Sequence, residues 1–86
     1  MGCAIHPQPI TTSLRVRGAP ADARVTIDDQ YLGALAFVAR RGVALPPGEH
    51  RITVEKPGYF PFDGVIVAEE GMAPIALEIV LERIPE

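Results

Sequence analysis

Apolar and polar residues alternate along most of this chain, and glycine or proline cuts the alternation at short intervals. The clearest block is LPPGEHRITVEKPGY, Leu45 to Tyr59. His50, Ile52 and Val54 share one parity and Arg51, Thr53 and Glu55 the other, which is the period of a half-buried strand. Ahead of that strand, Pro47 suits i+1 of a tight turn and Gly48 suits i+2, where a positive φ costs glycine little. Behind it, Pro57-Gly58 ends the run and delivers Tyr59, Phe60 and Phe62 together. The same period sets Leu14 and Val16 against Arg15 and Arg17. It also sets Ala23, Val25 and Ile27 against Arg24 and Thr26, and Ile75, Leu77, Ile79 and Leu81 against Glu78 and Glu82. Phe62–Ala68 is a further strand whose facing stays open, because Val65, Ile66 and Val67 are all apolar. Asp28-Asp29-Gln30 reads as a hairpin turn, since aspartate tolerates left-handed backbone and bonds nearby amides. Gly33 marks a bulge or bend, and Glu69-Glu70-Gly71 a solvated turn.

One segment fits less well. ALAFVARR, Ala34 to Arg41, is rich in helix formers and has the length for two helical turns. It has no Ser, Thr, Asp or Asn directly before it to act as an N-cap, and so short a helix needs tertiary support. The reading preferred from sequence is a brief strand over Leu35–Val38 and another over Gly42–Leu45, with Arg40-Arg41 between them. A short helical turn near residues 34–41 is the alternative. Six or seven short strands at turn spacings, with no helix–strand alternation, predict an all-β fold, a small antiparallel β-sandwich. The expected organisation is a flexible N-terminal tether over residues 1–12, the sandwich over 13–83 and a tail over 84–86.

Composition narrows the function classes. The 86 residues suffice for one small domain. Leu, Ile, Val and Phe number 25, above the level of disordered chains. The formal net charge of −3 argues against a sequence-independent nucleic-acid binder, which needs a basic footprint. No apolar run approaches the roughly 18 residues of a membrane-spanning helix.

The leader MGCAIHPQPITTS discourages both helix and buried strand. It carries Cys3, the single cysteine, so no internal disulfide can form. Cys3 reads either as an incidental thiol or as a lipidation site, because Gly2-Cys3 resembles the end of a bacterial lipoprotein signal. N-myristoylation of Gly2 would want Ser or Thr at position 6, which is His6. Cys3 and His6 supply two zinc ligands where four are needed. An acyl-transfer site would need a nucleophile, a base and an orienting acid together. Ser13 is the only serine and His6 and His50 lie far apart, so no enzyme, metal or cofactor is expected.

The order of motifs carries a resemblance. A strand followed by P-x-x-A at Pro20–Ala23, an alternating strand ending at Asp28, Gly33, L-P-P-G-E-H, another alternating strand and K-P-G-Y together resemble the PEGA domain. That family is a small β-sandwich module of prokaryotic cell-surface proteins. The central Glu-Gly of its name-giving motif is Ala21-Asp22 here, its V-x-V-D-G is Val25–Asp29 without the glycine, and its G-x-T-P is reduced to Gly33. Pro47, Gly48, His50, Lys56, Gly58 and Tyr59 match better, and the likeness runs from about Leu14 to Leu81. It implies a non-catalytic accessory or spacer domain outside the cytoplasm that contacts proteins or envelope polymers.

Several residues remain candidates for a surface. Tyr59, Phe60 and Phe62 form either a platform for a glycan such as peptidoglycan or, for at least two of them, a cap on an aromatic-poor core. Arg15, Arg17 and Arg24 form a basic strip for a partner if the strands bring them together; otherwise they guard an exposed sheet. His50 reads as a rim residue bonded to backbone. Asp28, Asp29, Asp63, Glu69 and Glu70 lack the D-x-D-x-D-G spacing of a calcium loop and read as solvated turns. The partners expected are therefore an envelope protein or a second copy, a glycan as the alternative, and the membrane through a lipid on Cys3.

Overall fold

Each alternating segment has one apolar face to hide, and the chain hides these faces between two sheets. The structure, a computed structural model, describes residues 11–85. The elements are β1 (Thr12–Ala19), β2 (Arg24–Ile27), β3 (Gln30–Ala34), α1 (Leu35–Arg41), β4 (Val43–Leu45), β5 (Gly48–Glu55), β6 (Phe62–Ala68) and β7 (Ile75–Val80). One sheet has the order β4-β1-β7 and the other β3-β2-β5-β6. The expected all-β sandwich of short strands is the observed fold. The expectations placed on Cys3 and on residues 1–10 lie outside the described range. Strand pairing begins at Thr12, one residue before the expected start of the sandwich, and the buried Thr12 hydroxyl donates to the Glu69 carbonyl at 2.9 Å.

The buried layer is built from the predicted faces. Leu14, Val16, Leu45 and Ile79 come from the three-stranded sheet, and Val25, Ile27, Ile52, Val54, Ile66 and Ala68 from the four-stranded one. Each fully covered Val, Leu or Ile contributes about 1.5–3 kcal/mol over its exposed state. The open facing of β6 resolves in the same way: Ile66 and Ala68 point inward, which turns Val65 and Val67 outward.

The turns follow their residues. Asp28 and Asp29 hold φ of 51° and 65°, the paired left-handed conformation of a type I′ hairpin between β2 and β3. A bulge follows where the register shifts between Val25 and Thr26, opposite Tyr31 and Gly33. Pro57-Gly58 forms a tight turn in which the Tyr59 amide donates to the Lys56 carbonyl at 3.1 Å, with Gly58 at φ 86°. Gly48 has the expected positive φ, 130°, but Pro46-Pro47 carries the chain from one sheet to the other rather than around a hairpin.

Two features depart from the sequence reading. Leu35–Arg41 is a helix, not the brief strand preferred from sequence. The missing N-cap side chain is replaced by distant backbone: the Leu35 amide donates to the Ala23 carbonyl at 2.8 Å and the Ala36 amide to Ala21 at 2.9 Å. Amides that a lone helix would leave unpaired are thereby satisfied by the P-x-x-A turn, and Leu35 and Val38 are buried against the sheets. The second departure is that β1 and β7 run parallel, residue for residue from Leu14–Ile75 to Ala19–Val80, while every other pair is antiparallel. The two strands approach so closely that a Cβ on Gly18 would sit 1.6 Å from the Ile79 carbonyl oxygen.

Candidate interaction surface

A sandwich has sheet edges whose backbone groups lack strand partners, and natural proteins shield such edges with helices, bulges, prolines or charges. Among the described residues, three of the four sheet edges are short, shielded or charged. β4 is three residues long. Helix α1 packs against β1 and β3. β3 itself carries the bulge, and the Phe37 ring of α1 lies over Gly33. β7 is six residues long and carries Glu78 in its outward-facing set.

β6 differs from the rest. It is a seven-residue edge whose pairing with β5 runs unbroken from Phe62–Val54 to Ala68–Gly48. It contains no proline and no lysine. Its outward residues are Asp63, Val65 and Val67, with the valines 61% and 54% exposed. The single charge is already matched: Arg51 of β5 donates from Nε and Nη2 to the two Asp63 oxygens at 3.0 and 2.7 Å. That fork holds the Asp63 carboxyl below its ordinary pKa. The result is an exposed apolar strip beside a ladder that no strand of the described residues pairs.

The aromatic cluster expected from sequence divides. Tyr59 and Phe62 are half-buried and pack against the core, so they act as its cap. Phe60 alone is well exposed, at 49%, with its amide tied to the Glu82 carbonyl at 2.8 Å. No continuous three-ring platform results.

The arginines divide as well. Arg15 and Arg17 lie on the outer face of β1, beside a groove of about 500 Å³ that Ala39, Ala76, Leu77 and Glu78 also line. Arg24 lies on the other sheet, with its guanidinium 4.6 Å from the centre of the Tyr31 ring. The sandwich therefore does not bring Arg15, Arg17 and Arg24 together into one strip. A second stacked pair, Arg41 over Phe37 at 5.6 Å, sits on α1. The sequence does not single out Tyr31 or Phe37, because each ring meets its arginine only through the register of the β2–β3 bulge and the turn of helix α1.

His50 is buried at the sandwich rim, 8% exposed, and both ring nitrogens have acceptors. Nδ1 lies 2.6 Å from Asp28 Oδ2 and Nε2 lies 2.7 Å from the Pro46 carbonyl. The Arg51 amide donates to the other Asp28 oxygen at 3.0 Å. Asp28 thus fastens the β2–β3 turn to β5 while its own carboxylate stays half-exposed to solvent. Among the described residues no group of three or more His, Cys, Asp or Glu side chains is placed to hold a metal ion. No helix of the described residues is long and apolar enough to cross a membrane.

A comparison with protein families finds that the PEGA domain matches residues 11–83. That span contains every strand and the helix. A comparison with curated proteins gives no match.

Proposed function

The chain belongs to the PEGA-domain family, and from that membership and its open β6 edge we propose that it is a non-catalytic envelope module that binds another protein by strand addition. PEGA domains are typically found in extracellular and cell-surface proteins. The single observation that carries the reading is the unbroken seven-residue edge with Val65 and Val67 exposed beside it. An incoming strand would pair its backbone with β6 and set alternate side chains on the two valines, which is how β-augmentation combines affinity with selectivity. A lipid on Cys3 would hold the module at a bacterial membrane; its support is the Gly2-Cys3 sequence.

The test is cross-linking in the native envelope, comparing the wild-type chain with Val65→Lys/Val67→Lys. Loss of a specific cross-linked protein in the variant, with the fold intact by circular dichroism, supports the reading. Equal capture by both chains would remove it. Glycan binding through Tyr59, Phe60 and Phe62 has weaker support, since Phe60 is the only well-exposed ring of the three. Retention on insoluble peptidoglycan that disappears in Phe60→Ala would favour it instead. Mass spectrometry of the native protein tests the anchor, because an unmodified Cys3 contradicts it.

A further inference from the structure

We infer that the strand which β6 accepts is the β6 of a second copy, joined antiparallel about a two-fold axis at Val65. This rests on the open-edge reading above and names its partner.

A two-fold antiparallel pair must oppose residues of the same facing, so the axis passes through one residue of the strand. With Val65 on the axis, all seven residues of β6 are paired. Val65 meets its own copy, Gly64 meets Ile66, Asp63 meets Val67, and the large Phe62 meets the small Ala68. Moving the axis to Ile66 would set Asp63 opposite Glu69, acid against acid, and leave Phe62 beyond the pairing. Moving it to Gly64 would lose Val67 and Ala68 from the ladder.

Local charge permits a copy as the occupant. The one carboxylate on the strip is held by Arg51 of its own chain, so the two faces bring no free like charges together at the axis. Glu78 on the β7 edge has no such ion-pair partner among the described residues. The joined strands would make one eight-stranded sheet from two four-stranded ones. A single strand pair buries a small area, in the range of transient contacts below about 1,200 Å². Each chain carries a formal charge of −3, so added salt screens the mutual repulsion and strengthens the dimer. A contact made through Arg15 and Arg17 would weaken instead.

The test uses the full chain with Cys3→Ser, carrying Val65→Cys, Val67→Cys or Val80→Cys, under mild oxidation at sub-millimolar concentration. Residues directly opposite across an antiparallel pair have Cβ atoms about 4.5–5.5 Å apart, near enough for a disulfide after a small adjustment. Val65→Cys is expected to form covalent dimers at least about tenfold faster than Val80→Cys, an exposed β7 residue at the collisional rate. Val67→Cys is expected to stay near that rate. Sedimentation of the wild-type chain should show a dimer that Val65→Lys abolishes while its melting curve is retained.

A wild-type chain that sediments only as a monomer, with Val65→Cys no faster than Val80→Cys, overturns self-pairing. Faster coupling of Val67→Cys than of Val65→Cys overturns the axis. The broader edge reading fails separately, only if Val65→Lys/Val67→Lys also leaves capture of other envelope proteins unchanged.

Discussion

His50 and Asp28, 22 residues apart in sequence, share a 2.6 Å hydrogen bond that ties the β2–β3 turn to β5. The second ring nitrogen of His50 faces the Pro46 carbonyl. To bond both acceptors the ring must donate from both nitrogens, as an imidazolium does. The carboxylate of Asp28, and then the Pro46 carbonyl, raise the His50 pKa above its ordinary value. The His50 ring, and then the Arg51 amide, lower that of Asp28.

Stability is therefore expected to fall on both sides of a plateau. The contribution of His50 is complete below its unfolded pKa of about 6.5 and is lost as pH rises through the higher folded value. The contribution of Asp28 is present above about pH 4 and is lost as pH falls through its lower folded value. Urea midpoints measured against pH check this. In His50→Gln the alkaline decline should disappear, with the variant and wild type converging at high pH.

Gly18→Ala is expected to destabilise the domain by about 3 kcal/mol, at the upper end of overpacking costs. The added Cβ would meet the Ile79 backbone oxygen at 1.6 Å, and a backbone atom in a parallel ladder cannot swing aside. Gly48→Ala is the control. It shares a positive φ but has nothing within 4 Å of the added atom, so only backbone strain of about 1–2 kcal/mol is expected. Chemical denaturation of both variants separates the close approach from the conformational cost.

Leu35→Ala, in a fully buried position of α1, should cost about 3 kcal/mol through lost transfer energy and a cavity. Ala34→Ser should change stability by less than about 0.5 kcal/mol, well short of the usual gain from an N-cap. The amides of Leu35 and Ala36 are already bonded to Ala23 and Ala21, which leaves a new hydroxyl only the Phe37 amide to take. Thermal melts of the two variants test whether the helix is capped from outside itself.

These features show what the sequence made legible and what it did not. The buried faces of β1, β2, β5 and β7 were readable because period-two alternation is a local property. The Asp28-Asp29 turn was readable for the same reason. Helix α1 was misread because its cap comes from Ala21 and Ala23, and nothing local announces a tertiary cap. The parallel β1–β7 pairing was hidden because it joins the first strand to the last, with no hairpin turn to signal it. The open edge of β6 was partly hidden too, since a run of three apolar residues gives no facing until β5 fixes its register.

Amide hydrogen exchange along β6, followed as protein concentration is raised, tests the role of this edge most directly. In dilute solution every second β6 amide, pointing away from β5, should exchange quickly. Those amides should become protected as copies associate, while the edges of β3 and β7 stay unchanged. Protection that is already complete in the dilute monomer, or that grows on β7 rather than on β6, would contradict the assignment.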